Sequence, residues 1–255
     1  MNSSKKIAVV TGGARGIGLT IAKKFHDEGY YVIILDRDKV SLELTRANMT
    51  GMVDFECVYC DVSVPDQVFS VFTSLISQFH RIDALVNNAG IAIFKKAENL
   101  TFEDWTEVLA TNLNGPFFCS QAALPGLLKA GGSIVNIASI SGVRASTLRM
   151  AYGTSKAALM HLTKQQAVEY GNKGVRANAV APGPVETEMA KLVHSADIRT
   201  SYKDAIPLAR YGNVDEIANV VYFLCSEKAS YLNGQIIAVD GGFDAAGVGL
   251  PSLRV

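Results

Sequence analysis

The sequence predicts a single α/β domain over residues 1–255, built on a doubly wound sheet of seven parallel strands flanked by helices. Three observations predict it: short β-branched apolar runs recur along the chain, amphipathic helix-length stretches separate them, and no linker, repeat or low-complexity segment divides the series. Runs that are apolar at nearly every position belong to strands buried on both faces, which is the condition of a parallel sheet covered by helices. Strict alternation of strand and helix patterns gives the doubly wound arrangement.

The strand candidates, in order, are KKIAVVT, YYVIILD, FECVYCDV, DALVNNA, GSIVNIAS, VRANAVAP and GQIIAVDGG. Stretches such as LTIAKKFHDEG, VFSVFTSLISQFH and SKAALMHLTKQQAVEYG carry helical periodicity between them. The third strand holds a CxxC, Cys57 and Cys60. A redox or zinc role would need a second pair, a histidine partner or an exposed helix start. An apolar strand context instead predicts core thiols, with Cys119 and Cys225 alike, and no metal. From about Glu186 to Arg210 the rhythm breaks, predicting an inserted helical excursion before a last helix that starts near Val214. Ligands of open α/β sheets bind beyond the C-terminal strand ends, so an excursion leaving the sixth strand would cover that crevice as a substrate lid. Met189, Leu192, Val193 and His194 would give it a mixed character, and Glu186 is expected to face solvent. The tail, residues 243–255, contains Gly247, Gly249 and Pro251 and is expected to cross a subunit interface.

Equal numbers of basic and acidic residues, 24 of each, and no like-charge run argue against nucleic acid or an anionic membrane surface as partner. A small molecule is the expected partner. The N-terminal apolar run, IAVV, is too short for a signal peptide, and no stretch approaches the ~18 apolar residues of a membrane span. The expectation is a soluble cytoplasmic protein.

Chemistry enters with TGGARGIG, where Gly12, Gly13, Gly16 and Gly18 lie between the first strand and first helix. Glycines permit a tight turn and close approach of a pyrophosphate to a helix N-terminus. The spacing is not GxGxxG, but the strand–turn–helix context is right, and the second strand ends in Asp36, eighteen residues beyond Gly18. A carboxylate there accepts hydrogen bonds from ribose hydroxyls and repels a 2′-phosphate, which favours NAD. Arg15 and Arg37 could each contact a 2′-phosphate and leave NADP open; Arg37 could instead stack on adenine. In AYGTSKAAL, Tyr152 and Lys156 share one helix face at i and i+4. By themselves they fit a solvated helix surface better than a catalytic pair, because such pairs are common wherever a helix meets water.

TGGARGIG, Asp61 in CDV, NNAG at 87–90, Asn112 in TNLNG, Ser139 in NIASISG, Tyr152-x-x-x-Lys156 and APGPVETEM together resemble the short-chain dehydrogenase/reductase family, from Lys5 to the DGG at 240–242. The resemblance implies a Rossmann fold and an NAD(P)-dependent oxidoreductase with a catalytic tetrad of Asn112, Ser139, Tyr152 and Lys156. Tyr152 would be the acid/base, its phenolate favoured by the Lys156 ammonium and the nicotinamide. Ser139 would hold the substrate oxygen. Lys156 would also bind the nicotinamide ribose, and Asn112 would maintain a water-linked proton path. For the cofactor it implies Gly12, Arg15, Gly16, Ile17 and Gly18 at the pyrophosphate, and Asp36 and Arg37 at the adenosine end. Asp61 and Val62 would meet adenine, Asn88, Ala89 and Gly90 would line the ribose, and Pro182, Gly183, Val185 and Thr187 would hold the nicotinamide end. Ser141 competes with Ser139, and a structural bend competes with catalysis for Asn112, a poor helix former.

The implied activity is interconversion of a secondary alcohol and a ketone on a sugar, polyol or hydroxy acid, by a homo-oligomer, a tetramer. NADPH-dependent reduction of 3-oxoacyl-acyl-carrier-protein is the alternative, and a non-catalytic nucleotide sensor is the third class. Arg144 and Arg149, between Ser139 and Tyr152, could clamp a carboxylate or phosphate, or could face solvent or a neighbouring subunit.

Overall fold

The computed structural model describes residues 5–49, 51 and 53–247, and for Met189, Lys191 and Leu192 the backbone alone. The expectations for Met189, Leu192 and the tail beyond residue 247 lie outside what is described. Seven strands form one parallel sheet: β1 (Ile7–Thr11), β2 (Tyr31–Asp36), β3 (Phe55–Tyr59), β4 (Ala84–Asn87), β5 (Ser133–Ile137), β6 (Arg176–Pro182) and β7 (Ile236–Val239). Their order is β3-β2-β1-β4-β5-β6-β7. The series runs outward from β1 in both directions, and the crevice where it reverses opens beyond Thr11 and Asn87.

Successive side chains on a strand point to opposite faces, so β1 must be apolar throughout to fill two cores. Ala8 and Val10 join the core beneath α1 (Gly16–Asp27) and α9 (Val214–Cys225), with Ile21, Phe25, Ile217 and Val221. Ile7 and Val9 join the opposite core beneath α3 (Pro65–Phe79) and α5 (Gly115–Ala130), with Phe72, Leu75, Leu85 and Leu127. Each large side chain withdrawn from water contributes roughly 1.5–3 kcal/mol before entropy is charged. The CxxC is split between these layers, Cys57 in the first core and Cys60 in the second. Burial pushes the Cys60 thiol up to about 11 and the Cys225 thiol up to about 12, so they behave as core hydrophobes.

The strands are shorter than their apolar runs; FECVYCDV pairs only as far as Tyr59, leaving Cys60, Asp61 and Val62 to turn over the crevice. The remaining helices are α2 (Lys39–Asn48), α4 (Phe102–Leu109), α6 (Met150–Gly171), α7 (Glu188–Val193) and α8 (Ala196–Ala205). Capping boxes start α4, at Thr101 and Asp104, and α9, at Asn213 and Glu216. Residues 186–210 hold α7 and α8 before α9 begins at Val214. No helix among the described residues is long and apolar enough to cross a membrane.

Candidate functional site

The glycine turn is pressed between β1, α1 and the end of β4. A Cβ on Gly18 would lie 2.2 Å from the Gly12 carbonyl oxygen and 2.4 Å from Asn88 Nδ2, so no side chain fits. Gly12 adopts φ 60°, and a Cβ there would lie 2.7 Å from the Ala89 Cα. Asn88 locks this packing: its Nδ2 donates to the carbonyls of Thr11 (3.0 Å) and Gly12 (2.8 Å). Thr11 Oγ1 in turn accepts from the N–H groups of Asn88 and Ala89. Arg15 is the N-cap of α1 but gives no side-chain cap, and the first turn carries no acid. Its N–H groups and positive dipole end therefore suit an anion, and the cradle fits a dinucleotide pyrophosphate.

Asp36 ends β2 at the rim of this turn. Oδ2 accepts from the Ala14 N–H at 3.1 Å and Oδ1 from the Asp38 N–H at 3.0 Å, leaving each oxygen a free lone pair. Arg15 lies 3.8 Å from Asp38 with its side chain 74% exposed. Arg37 points across the crevice to Asp61 (3.5 Å) and Glu107 (3.9 Å). Burial raises the Asp61 carboxyl, but hydrogen bonds from Ser63 and the charge of Arg37 outweigh this and hold it below the usual range. Val62 is buried against Gly115, where a Cβ would meet its Cγ2 at 2.8 Å.

On the other side of the crevice, α6 carries Tyr152 and Lys156, and the chain leaving β5 carries Ser139. Gly142 and Gly153 let this loop sit directly on α6: a Cβ on Gly142 would lie 2.7 Å from the Ala157 nitrogen, and one on Gly153 would lie 2.8 Å from the Ser141 oxygen. Ser139 Oγ accepts from the Ser141 N–H at 3.1 Å, so Ser141 serves as support for Ser139. Lys156 is 3% exposed; its Nζ donates to the Ile137 carbonyl at 2.7 Å and lies 5.8 Å from the Tyr152 ring centre. Burial pushes the Lys156 ammonium down to about 8. Burial also raises the Tyr152 phenol, with the Ser139 hydroxyl and the Arg149 charge pulling the other way. The Lys156 Nζ is turned to β5, and desolvation is the largest influence on both groups.

Asn112 lies in a π-helical turn, Ala110–Asn114, between α4 and α5. Fully buried, it accepts the Ile91 N–H at 2.8 Å and donates to the Ile91 carbonyl (2.9 Å) and Ser155 Oγ (3.0 Å). Ser155 donates to the Tyr152 carbonyl at 2.7 Å, so Asn112 reaches the Tyr152 turn through one hydroxyl. A Cβ on Gly90 would lie 3.4 Å from both Asn112 Oδ1 and Lys156 Nζ, which places these groups side by side on the crevice wall. Ser155, three residues after Tyr152 on the same helix face, is the support that this spacing could have shown.

The segment after β6 closes the far end. Pro182 ends the strand, Gly183 donates to the Val239 carbonyl at 3.0 Å, and buried Val185 bridges to Gly212. Thr187 Oγ1 caps α7 by accepting the Ala190 N–H at 3.1 Å and keeps its own proton. Glu186 does not simply face solvent, because Arg199 of α8 donates to its carboxylate. His194 bonds the Tyr211 hydroxyl at 3.0 Å and stacks on Tyr202 at 5.2 Å; burial, then Arg149 and Arg199, lower its basicity. Tyr202, Tyr211 and Phe94 were not legible as site residues, since only chain folding brings their segments together.

Arg144 and Arg149 have separate roles. Arg144 donates to the carbonyls of Phe243 (2.6 Å) and Ala246 (3.4 Å) and lies 5.1 Å over the Phe243 ring. Arg149, at the N-cap of α6, turns inward to Ser141, Tyr202 and Phe94.

A family model described as Enoyl-(Acyl carrier protein) reductase matches residues 12–244. The chain is 41% identical over 242 residues to 3-oxoacyl-[acyl-carrier-protein] reductase of Aquifex aeolicus (strain VF5), covering 93% of this chain and 96% of the relative. Among solved structures it resembles a gluconate 5-dehydrogenase from Burkholderia cenocepacia J2315 in complex with NADP and tartrate. That likeness has a TM-score of 0.89 and 32% identity, covering 95% of this chain and 96% of the other. It also resembles levodione reductase, with a TM-score of 0.89 and 33% identity over 95% of this chain and 98% of that one.

Proposed function

Because the chain belongs to the short-chain dehydrogenase/reductase family, NAD(P)-dependent oxidoreductases acting on CH–OH groups, we propose that it interconverts a secondary alcohol and a ketone with NAD. The proposed substrates are sugars, polyols and related hydroxy acids. The observation that carries this reading is the meeting of Ser139, Tyr152, Lys156 and Asn112 on one wall of the crevice. A tyrosine hydroxyl, a serine hydroxyl and a buried lysine set together can hold an alcohol oxygen, with the tyrosine as phenolate taking its proton or as phenol returning it.

Gly12, Gly16, Ile17 and Gly18, with Arg15 at the rim, would hold the pyrophosphate, and Asp36 the adenosine ribose. Asp61 and Val62 would border adenine beside Arg37, while Asn88, Ala89 and Gly90 would line the ribose. Pro182, Gly183, Val185 and Thr187 would hold the nicotinamide end, the free Thr187 proton serving the carboxamide. The bound nicotinamide supplies the hydride acceptor or donor. In ketone reduction the Tyr152 phenol gives its proton to the carbonyl oxygen; in alcohol oxidation its phenolate takes the hydroxyl proton, and Ser139 Oγ donates to the oxygen as charge develops on it. Lys156 keeps two N–H groups beyond the Ile137 bond for ribose hydroxyls and for passing the proton on, and Asn112 holds the wall beside it.

NAD is proposed over NADP because both Asp36 oxygens remain open to hydroxyls, and Arg15 and Arg37 already face carboxylates. The second reading, NADPH-dependent 3-oxoacyl-acyl-carrier-protein reduction, is favoured by the name of the Aquifex relative, and the NADP in the gluconate dehydrogenase structure favours the same cofactor. The tartrate and the gluconate activity named for that structure support a hydroxy acid. A panel of sugars, polyols, hydroxy acids and 3-oxoacyl thioesters, assayed with NAD(H) and NADP(H), separates the two. NAD-linked turnover of the first three supports the proposal; NADPH-linked turnover of thioesters alone replaces it. Tyr152→Phe should abolish turnover while NAD binding persists.

Exposed Phe117 and Leu128 on α5 and Val168 on α6 support a homo-oligomer, proposed as a tetramer and read by sedimentation velocity. A cytoplasmic location is proposed as well, read by cell fractionation.

A further inference from the structure

The loop from Ser139 to Tyr152 ends in an arginine whose charge has no counter-ion among the described residues. Arg149 Nη1 donates to Ser141 Oγ at 3.2 Å, Nη2 donates to the Tyr202 hydroxyl at 3.4 Å, and the guanidinium lies 5.1 Å from the Phe94 ring centre. Both hydrogen-bond partners are neutral, and among the described residues no carboxylate pairs with it. A guanidinium has five N–H donors, so most of its hydrogen-bonding capacity is unused. The other cations at this mouth are occupied: Arg199 by Glu186, Lys95 by Asp104, and Arg144 by the carbonyls of Phe243 and Ala246.

Its placement is also specific. Phe94 follows β4, Ser141 follows β5, and Tyr202 lies on α8, so the guanidinium bridges three segments that meet over the C-terminal strand ends. Two contacts separate it from the proposed oxygen-binding group, because Ser141, which accepts from Arg149, also donates its N–H to Ser139 Oγ. Leu148, the residue before it, holds φ 63°, a left-handed conformation that a branched, non-glycine residue rarely adopts. Such strain persists where surrounding structure over-determines it, and here it sets the direction in which Arg149 leaves the loop.

We propose that Arg149 is the specificity-determining residue that receives a substrate carboxylate, so that the preferred substrate is a short hydroxy acid, or the matching oxo acid, with its carboxylate a few bonds from the reacting carbon. This rests on the alcohol/ketone reading above and narrows its substrate class. The fork geometry of arginine matches a carboxylate with two parallel N–H···O bonds, and the Phe94 ring beside the guanidinium restricts where it can move. The same charge lies near enough to Tyr152 to oppose the upward push of burial on the phenol, so an anion bound there would also alter the proton donor.

The test uses Tyr152→Phe enzyme with NAD present, which reads binding without turnover. Calorimetric titration with short hydroxy acids, from lactate to hexonates, is compared with titration of their primary amides, which differ only in charge. The expected result is that the best acid binds at least about thirtyfold more tightly than its amide, and that adding Arg149→Gln removes this preference. Arg149→Lys should retain part of it, and amide affinity should move less than threefold. Equal affinities for acid and amide, or an acid preference that survives Arg149→Gln, would overturn the proposal. Turnover by wild-type enzyme is scored separately. NAD-linked oxidation of neutral polyols without acid preference refutes the carboxylate role alone, whereas absence of any NAD(P)-linked turnover refutes the alcohol/ketone reading while binding still judges Arg149.

Discussion

Replacing Asn112 by alanine removes a fully buried amide that makes three hydrogen bonds, two to the backbone of Ile91 and one to Ser155. The Ile91 N–H would be left without its acceptor, a desolvation cost of about 1–3 kcal/mol. The Ile91 carbonyl and Ser155 Oγ would each lose a donor, at a smaller cost, because Ser155 still donates to the Tyr152 carbonyl. Alanine's better helix propensity returns at most ~0.7 kcal/mol, and the π turn limits even that. The net expectation is a loss of about 3 kcal/mol, which for a chain of this size lowers the melting temperature by roughly 6–12 °C. Differential scanning calorimetry and urea unfolding, at one fixed protomer concentration, measure it. Turnover should fall as well, since the amide oxygen and Lys156 Nζ flank the same Gly90 position. A melting temperature within 2 °C of wild type, with turnover unchanged, would refute this account of how the crevice wall is held.

Asp36→Ala should move the NAD:NADP ratio of kcat/KM toward NADP by about ten- to a hundredfold, the worth of one or two charge-assisted hydrogen bonds; an unchanged ratio in steady-state kinetics counts against Asp36 as the ribose acceptor. Lys156 has its folded pKa lowered to about 8 from 10.5, so between those values the unfolded chain binds more protons and stability contributed by this residue rises with pH. Below pH 8 the buried ammonium costs about 3 kcal/mol, so Lys156→Met should unfold at higher urea than wild type at pH 7, with the difference shrinking as pH approaches 10; the opposite trend would contradict the burial argument. Arg144→Ala should speed hydrogen exchange at residues 243–247 while changing global stability by less than about 1 kcal/mol, because the arginine is exposed and its partners are two carbonyls and the Phe243 ring. Unaltered exchange would show that the segment is anchored by other contacts.

The strands and their order of appearance were legible because β1 and β2 are apolar at nearly every position, as burial on both faces demands, and β5 and β6 keep short apolar runs around their buried polar residues. Their ends were less legible: Cys60 and Val62 are as apolar as a strand requires, yet they belong to the turn over the crevice and to the core behind it. The glycine turn and Asp36 were readable because backbone approach and ribose chemistry each demand particular residues at particular spacings. Lys156 illustrates the limit. Its position was legible, but that its Nζ turns to Ile137 and that burial governs its charge depend on β5 packing beside α6. The same holds for Arg149, which in sequence is equivalent to Arg144, while in the folded chain one turns into the crevice and the other holds the segment after Gly242.

That segment also bears on how the protein is handled. Through Arg144, residues 243–246 are tied to the loop that carries Ser139, about a hundred positions earlier in the chain, and through Phe243 to Tyr202 on α8. An affinity handle or fusion partner at the C-terminal side that loosened these ties would change kinetic constants through the loop that carries Ser139. A comparison of constants measured with N-terminal and C-terminal handles would report the reach of the segment directly.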